Sequence, residues 1–137
     1  MIDYTDLIGT PFKNRGRDVK TGLDCYGLVM EVFKRNGIII PEYTAEYTDM
    51  KRINCLVREN TQGYPWLEIP KSDLVVPSLI AIRFGSPDGV VNHTGAYIGE
   101  GKFIHIRENI GVCIDRIDSI AWKRVIVGFY RYVGESL

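Results

Sequence analysis

The chain has 137 residues, 45% of them apolar and 11% aromatic, which is enough for one ordinary hydrophobic core and too little for two. Seventeen Lys and Arg balance seventeen Asp and Glu, so no global basic field exists to hold nucleic acid or an anionic membrane. Three cysteines at unrelated spacings make neither a disulfide framework nor a CxxC zinc clip, and no apolar run is long enough to span a bilayer. A single domain over 1–137 is expected, without cofactor, structural metal, nucleic-acid partner or membrane insertion.

The opening MIDYTDLIGTPF lacks a basic segment followed by an apolar one, so no export signal is expected. Asp3 to Ile8 predicts a short helix ended by Gly9 and Pro11, and KNRGRDVKTG reads as a polar loop. The strongest helix follows: Asp24 as N-cap, Leu28, Val29, Val32 and Phe33 at helical spacing behind Cys25, Lys34 and Arg35 at the C-terminal dipole, Gly37 as the stop. Met50, Ile53, Leu56 and Val57 behind Asp49 predict a second helix, and NTQGYPWLEIPKSD reads as loop. Beyond Pro77 the strands SLIAIRF, HTGAYIG, KFIHI, GVCID and VIVGFYRYV form an expected antiparallel meander. Helices first and strands after them predict an α+β domain, with N-terminal helices packed on one face of an antiparallel sheet.

Cys25 sits where unpaired helical N–H groups and the positive dipole end favour a thiolate, although a free cysteine at such a place is as readily a small buried apolar residue. The two histidines tip the balance, because both fall in one predicted hairpin. With Gly99, Glu100 and Gly101 as a three-residue loop, cross-strand partners sum to 200, which sets His105 opposite Gly95 and makes His93 its diagonal neighbour about 7–8 Å away. A two-residue loop would reverse the parity and separate them. On the preferred register His93, Gly95, Tyr97, Phe103 and His105 share one face, which is expected to meet the Cys25 helix. A cysteine facing a histidine that a second polar group orients is the general recipe of thiol hydrolases: Cys25 as nucleophile, His93 as base and acid, His105 holding its far nitrogen. Cys55 and Cys113 are expected to serve packing. Arg15, Arg17 and Asp18 are read as a solvated loop with an anionic peptide as the functional alternative, and Tyr43, Tyr47, Tyr64 and Trp66 as either core cover or a groove lining.

LIGTPF, LDCYGLVMEVFKRNGI and NHTGAYIGEGKFIHI together resemble the NlpC family of bacterial and phage cell-wall peptidases, over most of the chain. The resemblance implies a papain-like fold, a triad of Cys25, His93 and His105, and hydrolysis of a peptidoglycan stem-peptide amide, typically between γ-D-glutamyl and a diamino acid. Asp24 matches the motif aspartate, as helix cap and as acceptor for a free substrate amine, and the Cys25 N–H is the natural oxyanion donor. Phe12 and Tyr26 occupy positions where many members carry Tyr and Ser, so a hydroxyl is lost and a ring gained among the substrate-binding positions. PFKNRGRD, Tyr26 and WKRVIVGFYRY resemble phage-encoded members in particular, which implies tail-protein partners and a place in the virion, acting at the host wall. The alternatives are a catalytically silent tail component that keeps the fold, a cytoplasmic recycling enzyme, and an acyl transferase resolving the same thioester.

Overall fold

Asp24 starts the main helix by local chemistry alone. In the computed structural model, which describes residues 2–135, its backbone is extended (φ −92°, ψ −177°) and its carboxylate accepts from the Gly27 N–H at 2.7 Å. Helix α1 (Cys25–Arg35) follows, and Gly37, at φ 78°, turns the chain away after it. Helix α2 (Met50–Asn60) is capped in the same way, with Asp49 accepting from the Arg52 N–H at 3.0 Å. The helix expected over Asp3 to Ile8 is a single 3-10 turn, Thr5–Leu7, whose start Asp3 holds by accepting from the Thr5 N–H at 2.9 Å and which the extended backbone of Ile8 ends.

Within the segment expected to be loop, β1 (Arg17–Asp18) and β2 (Gly22–Leu23) form a two-rung ladder. The main sheet comprises β3 (Trp66–Ile69), β4 (Ser78–Ile82), β5 (His93–Gly99), β6 (Lys102–Arg107), β7 (Gly111–Arg116) and β8 (Ile126–Tyr132). Its order is β3-β8-β4-β5-β6-β7, antiparallel throughout. The meander therefore holds for β4 to β7, while β8 returns to lie between β3 and β4. WLEI, expected to be loop, is β3, and Trp66 pairs with Tyr132. Four residues flanked by Pro65 and Pro70 are too few to show a period.

The sheet has two apolar faces. Leu28, Val29, Val32 and Phe33 of α1 are fully buried against the face that carries Leu79, Ala81, Ala96, Ile104 and Ile106. Each such side chain contributes about 1.5–3 kcal/mol relative to exposure. The other face carries Ile80, Ile82 and Phe103, covered by Ile117 and Trp122 from the connection between β7 and β8. The result is the α+β architecture expected, with α1 on one face only.

Candidate active site

Cys25 is the first residue of α1, so its position is set by the Asp24 cap and by the packing of α1 on β5 and β6. Gly27 is held close: an added Cβ would overlap the Gly16 carbonyl oxygen. Arg17 ties the same corner, donating to Asp24 at 2.6 Å, to the Tyr43 carbonyl at 2.6 Å and to Glu42 at 3.1 Å. Arg17, read as a solvated loop residue, is therefore a brace beneath the helix start.

The histidines come from β5 and β6, and the register that joins them arises differently from expectation. The loop has two residues, Glu100 and Gly101, both at positive φ (56° and 75°), as a tight hairpin turn requires. Gly99 pairs with Lys102, yet Tyr97 pairs with Phe103 and Ala96 with Ile104, because a bulge at Ile98 absorbs one residue. The bulge restores the parity that the shorter loop would have reversed. His93 and His105 thus share a face, with His93 Nε2 2.9 Å from His105 Nδ1. Gly95 makes the room, since a Cβ there would lie 3.2 Å from the His105 Cβ and 3.0 Å from the Ile104 oxygen.

That face is the one turned away from α1, which corrects the expected packing. His105 stacks on Phe103 and stands edge-on to Trp122, each at 4.6 Å between ring centroids. Cys25, at the start of α1, and His93, at the start of β5, both line one cleft. Thr94, the next residue, points to the α1 side; its buried hydroxyl makes no hydrogen bond among the described residues and lies where it favours the Cys25 thiolate.

The series continues one residue further than the sequence indicated. His105 Nε2 lies 2.7 Å from Asp115 Oδ2, and Cys113 Sγ lies 3.6 Å from the same nitrogen. An ionised carboxylate only accepts, so His105 carries its proton on Nε2 and offers Nδ1 as acceptor. His93 must then donate from Nε2, which leaves the Nδ1 lone pair for the cleft. Asp115 was missed because its place depends on the β6–β7 register, which sets Cys113 opposite His105 and Asp115 opposite Phe103. The alternation within GVCID was the available signal. Cys113, expected to serve packing, belongs to this polar group, and Cys55 is exposed on α2.

Electrostatics correct a second expectation. Burial pushes the Cys25 thiol up, with the Asp24 charge adding to it, despite the helix N-terminus. Burial also pushes His93 down to about 3, helped by His105 and Arg107. The resting pair is a neutral thiol and a neutral imidazole. Burial lowers His105 as well, opposed by Asp115.

The three positions expected to bind substrate all line the cleft. Asp24 Oδ1 is occupied by Gly27 and Arg17. Tyr26 donates its hydroxyl to the Pro41 carbonyl at 2.5 Å, so its ring rather than its hydroxyl shapes the wall. Phe12 meets Tyr47 edge-on at 5.1 Å between centroids.

An α+β domain whose helix-borne cysteine and strand-borne histidine share one cleft has the papain-like architecture of thiol hydrolases. The chain belongs to the NlpC/P60 family, whose model matches residues 9–131. It is 28% identical over 125 residues to the murein DD-endopeptidase MepS/murein LD-carboxypeptidase of Escherichia coli (strain K12), covering 90% of this chain and 56% of that protein. It is 26% identical over 84 residues to the γ-D-glutamyl-L-lysine dipeptidyl-peptidase of Bacillus subtilis (strain 168), covering 61% of this chain and 23% of that one. The chain thus spans little more than half the length of the first relative and less of the second. A solved NlpC/P60 family protein from Bacillus cereus has the same fold, at a TM-score of 0.68 and 24% identity, over 95% of this chain and 38% of that chain.

Proposed function

We propose that the chain is a cysteine endopeptidase that hydrolyses a stem-peptide amide of peptidoglycan, the bond from γ-D-glutamyl to a diamino acid, with Cys25, His93 and His105 as its triad. The hydrogen-bonded series His93, His105, Asp115, running to the cleft that Cys25 lines, carries the proposal. His93 Nδ1 takes the thiol proton as sulfur attacks the amide carbon. The Cys25 N–H, at the first turn of α1 where helical N–H groups lack intrahelical acceptors, holds the oxyanion. Collapse passes the proton from His93 to the leaving amine and leaves a thioester. Water, deprotonated by the same nitrogen, then releases the acid and regenerates the thiol.

Asp24 Oδ2 faces a free amino group of the substrate, while Phe12 and Tyr26 line an apolar subsite. The names of the Escherichia coli and Bacillus subtilis relatives, one a murein endopeptidase and the other a γ-D-glutamyl peptidase, support the substrate class. The resemblance of PFKNRGRD and WKRVIVGFYRY to phage-encoded members supports a place in the phage tail, with other tail proteins as partners. Among the described residues no helix is long and apolar enough to cross a membrane.

Incubation with γ-linked tri- and tetrapeptide muropeptides, read by mass spectrometry, tests the activity. Cleavage is expected, and Cys25→Ala should abolish it while circular dichroism stays unchanged. Full activity in that variant sinks the mechanism, and no cleavage by the unaltered chain under reducing conditions favours a silent tail component. Mass spectrometry of purified virions tests the location.

A further inference from the structure

We propose that His105, Cys113 and Asp115 form a Zn²⁺ site at the outer end of the histidine series, and that zinc bound there switches the peptidase off. The switching half rests on the cysteine-peptidase reading above; the site itself does not. The three ligand atoms come from one rigid ladder, with Cys113 opposite His105 and Asp115 two residues further along β7. They lie within 4.8 Å of one another.

Tetrahedral zinc, with bonds of about 2.0–2.1 Å to nitrogen and oxygen and about 2.3 Å to sulfur, holds such atoms about 3.3–3.6 Å apart. The separations present are 3.6 Å from Cys113 Sγ to His105 Nε2, 3.9 Å from Cys113 Sγ to Asp115 Oδ2, and 2.7 Å from His105 Nε2 to Asp115 Oδ2. The His–Cys edge already fits. The other two are brought into range by swinging the Asp115 carboxylate by about half an ångström, judged against the same zinc bond lengths. That side chain is 37% exposed, and His105 is the residue that holds it in this position. Strand β7 is the sheet edge, with Cys113 and Asp115 half-buried on it, so an ion enters from solvent without passing the substrate cleft. Imidazole, thiolate and carboxylate are the ligand types zinc takes, and water completes the fourth position. Arg107 is the cation that acts on His105 and Cys113. Thiolate and carboxylate bring two negative charges against it and the ion.

The switch follows from proton bookkeeping along the series. Without metal, His105 donates from Nε2 to Asp115, and His93 donates from Nε2 to His105 Nδ1. Zinc on His105 Nε2 displaces that proton to solvent. The His93 Nε2 proton crosses to His105 Nδ1, and His93 Nδ1 takes a proton from solvent. The histidines end neutral as they began, and the net release is the one Cys113 thiol proton. His93 then presents an N–H to Cys25 in place of a lone pair, and no base remains.

Co²⁺, a spectroscopic substitute for Zn²⁺, tests the site in the Cys25→Ala, Cys55→Ser variant, whose remaining thiol is Cys113. A thiolate-to-cobalt charge-transfer band saturating at one ion per chain is expected. It should vanish with Cys113→Ser, weaken at least tenfold in affinity with Asp115→Ala, and be displaced by Zn²⁺. Muropeptide cleavage by the otherwise unaltered Cys113→Ser chain should then need at least tenfold more Zn²⁺ for half-inhibition than the parent. Absence of the band, or equal zinc sensitivity of parent and Cys113→Ser, overturns the proposal. If the parent cleaves nothing, the peptidase reading fails while the cobalt spectrum still decides the site.

Discussion

Asp115 decides which nitrogen of each histidine carries a proton, although it stands two side chains away from the thiol. It is a positioning residue, and Asp115→Ala should lower kcat by about 10–100-fold while KM moves little, because the loss is felt only as the proton moves. Equal kcat in parent and variant would remove Asp115 from the mechanism. Cys25 has the opposite character: it is the nucleophile of the proposed reaction, yet burial pushes its thiol up. Iodoacetamide at pH 7 should therefore modify the exposed Cys55 before Cys25, and the Cys25 rate should climb only above the ordinary thiol range. Peptide mapping by mass spectrometry reads both, and faster labelling of Cys25 at pH 7 would show an activated thiolate instead. The place of Cys25 at a helix start and of His93 beside His105 was legible because capping and hairpin parity depend on local sequence. Thr94 and Asp115 were not, since one depends on the end of β5 and the other on a third strand.

At the scale of elements, the start of α1 is fixed from three sides: the Asp24 cap, the Arg17 brace, and the close approach of Gly27 to Gly16. Gly27→Ala should cost about 1–3 kcal/mol by forcing these backbones apart, as a lower urea midpoint would show. An unchanged midpoint would mean that the Gly16 loop yields freely. Helix α1 was readable from end to end, because cap, apolar spacing and terminal glycine agree. Strand β3 was not, being four residues whose pairing with β8 lies some sixty residues away in sequence. The β5–β6 hairpin was read correctly in its outcome and wrongly in its cause: two departures, a shorter loop and a bulge at Ile98, cancel. The face assignment failed because alternation tells which side chains lie together and leaves open which side the helix covers.

For the whole molecule, burying His93 as a neutral ring links folding to pH. Its folded value of about 3 lies below the ordinary 6.5, so the unfolded chain binds a proton that the native one refuses as pH falls between the two. The His93 contribution should be constant above pH 6.5 and decline below it, by up to about 1.4 kcal/mol per pH unit for one such group. Thermal melts from pH 7 to pH 4 measure this, and His93→Gln should reduce the slope, His105 supplying the part that remains. A parent whose melting temperature holds constant across that window would refute the neutral burial.

The position of β8 has a consequence for the order of events during synthesis. Ile126–Tyr132 is the last of the described strands in chain order, yet it occupies the interior of the sheet, bridging β3 to β4. Until it leaves the ribosome, β4 presents an unpaired edge and β3 has no partner at all. The nascent chain therefore cannot close its sheet strand by strand. It must wait for β8, so the sheet on which the cleft is built closes only after the strand furthest along the sequence has been made.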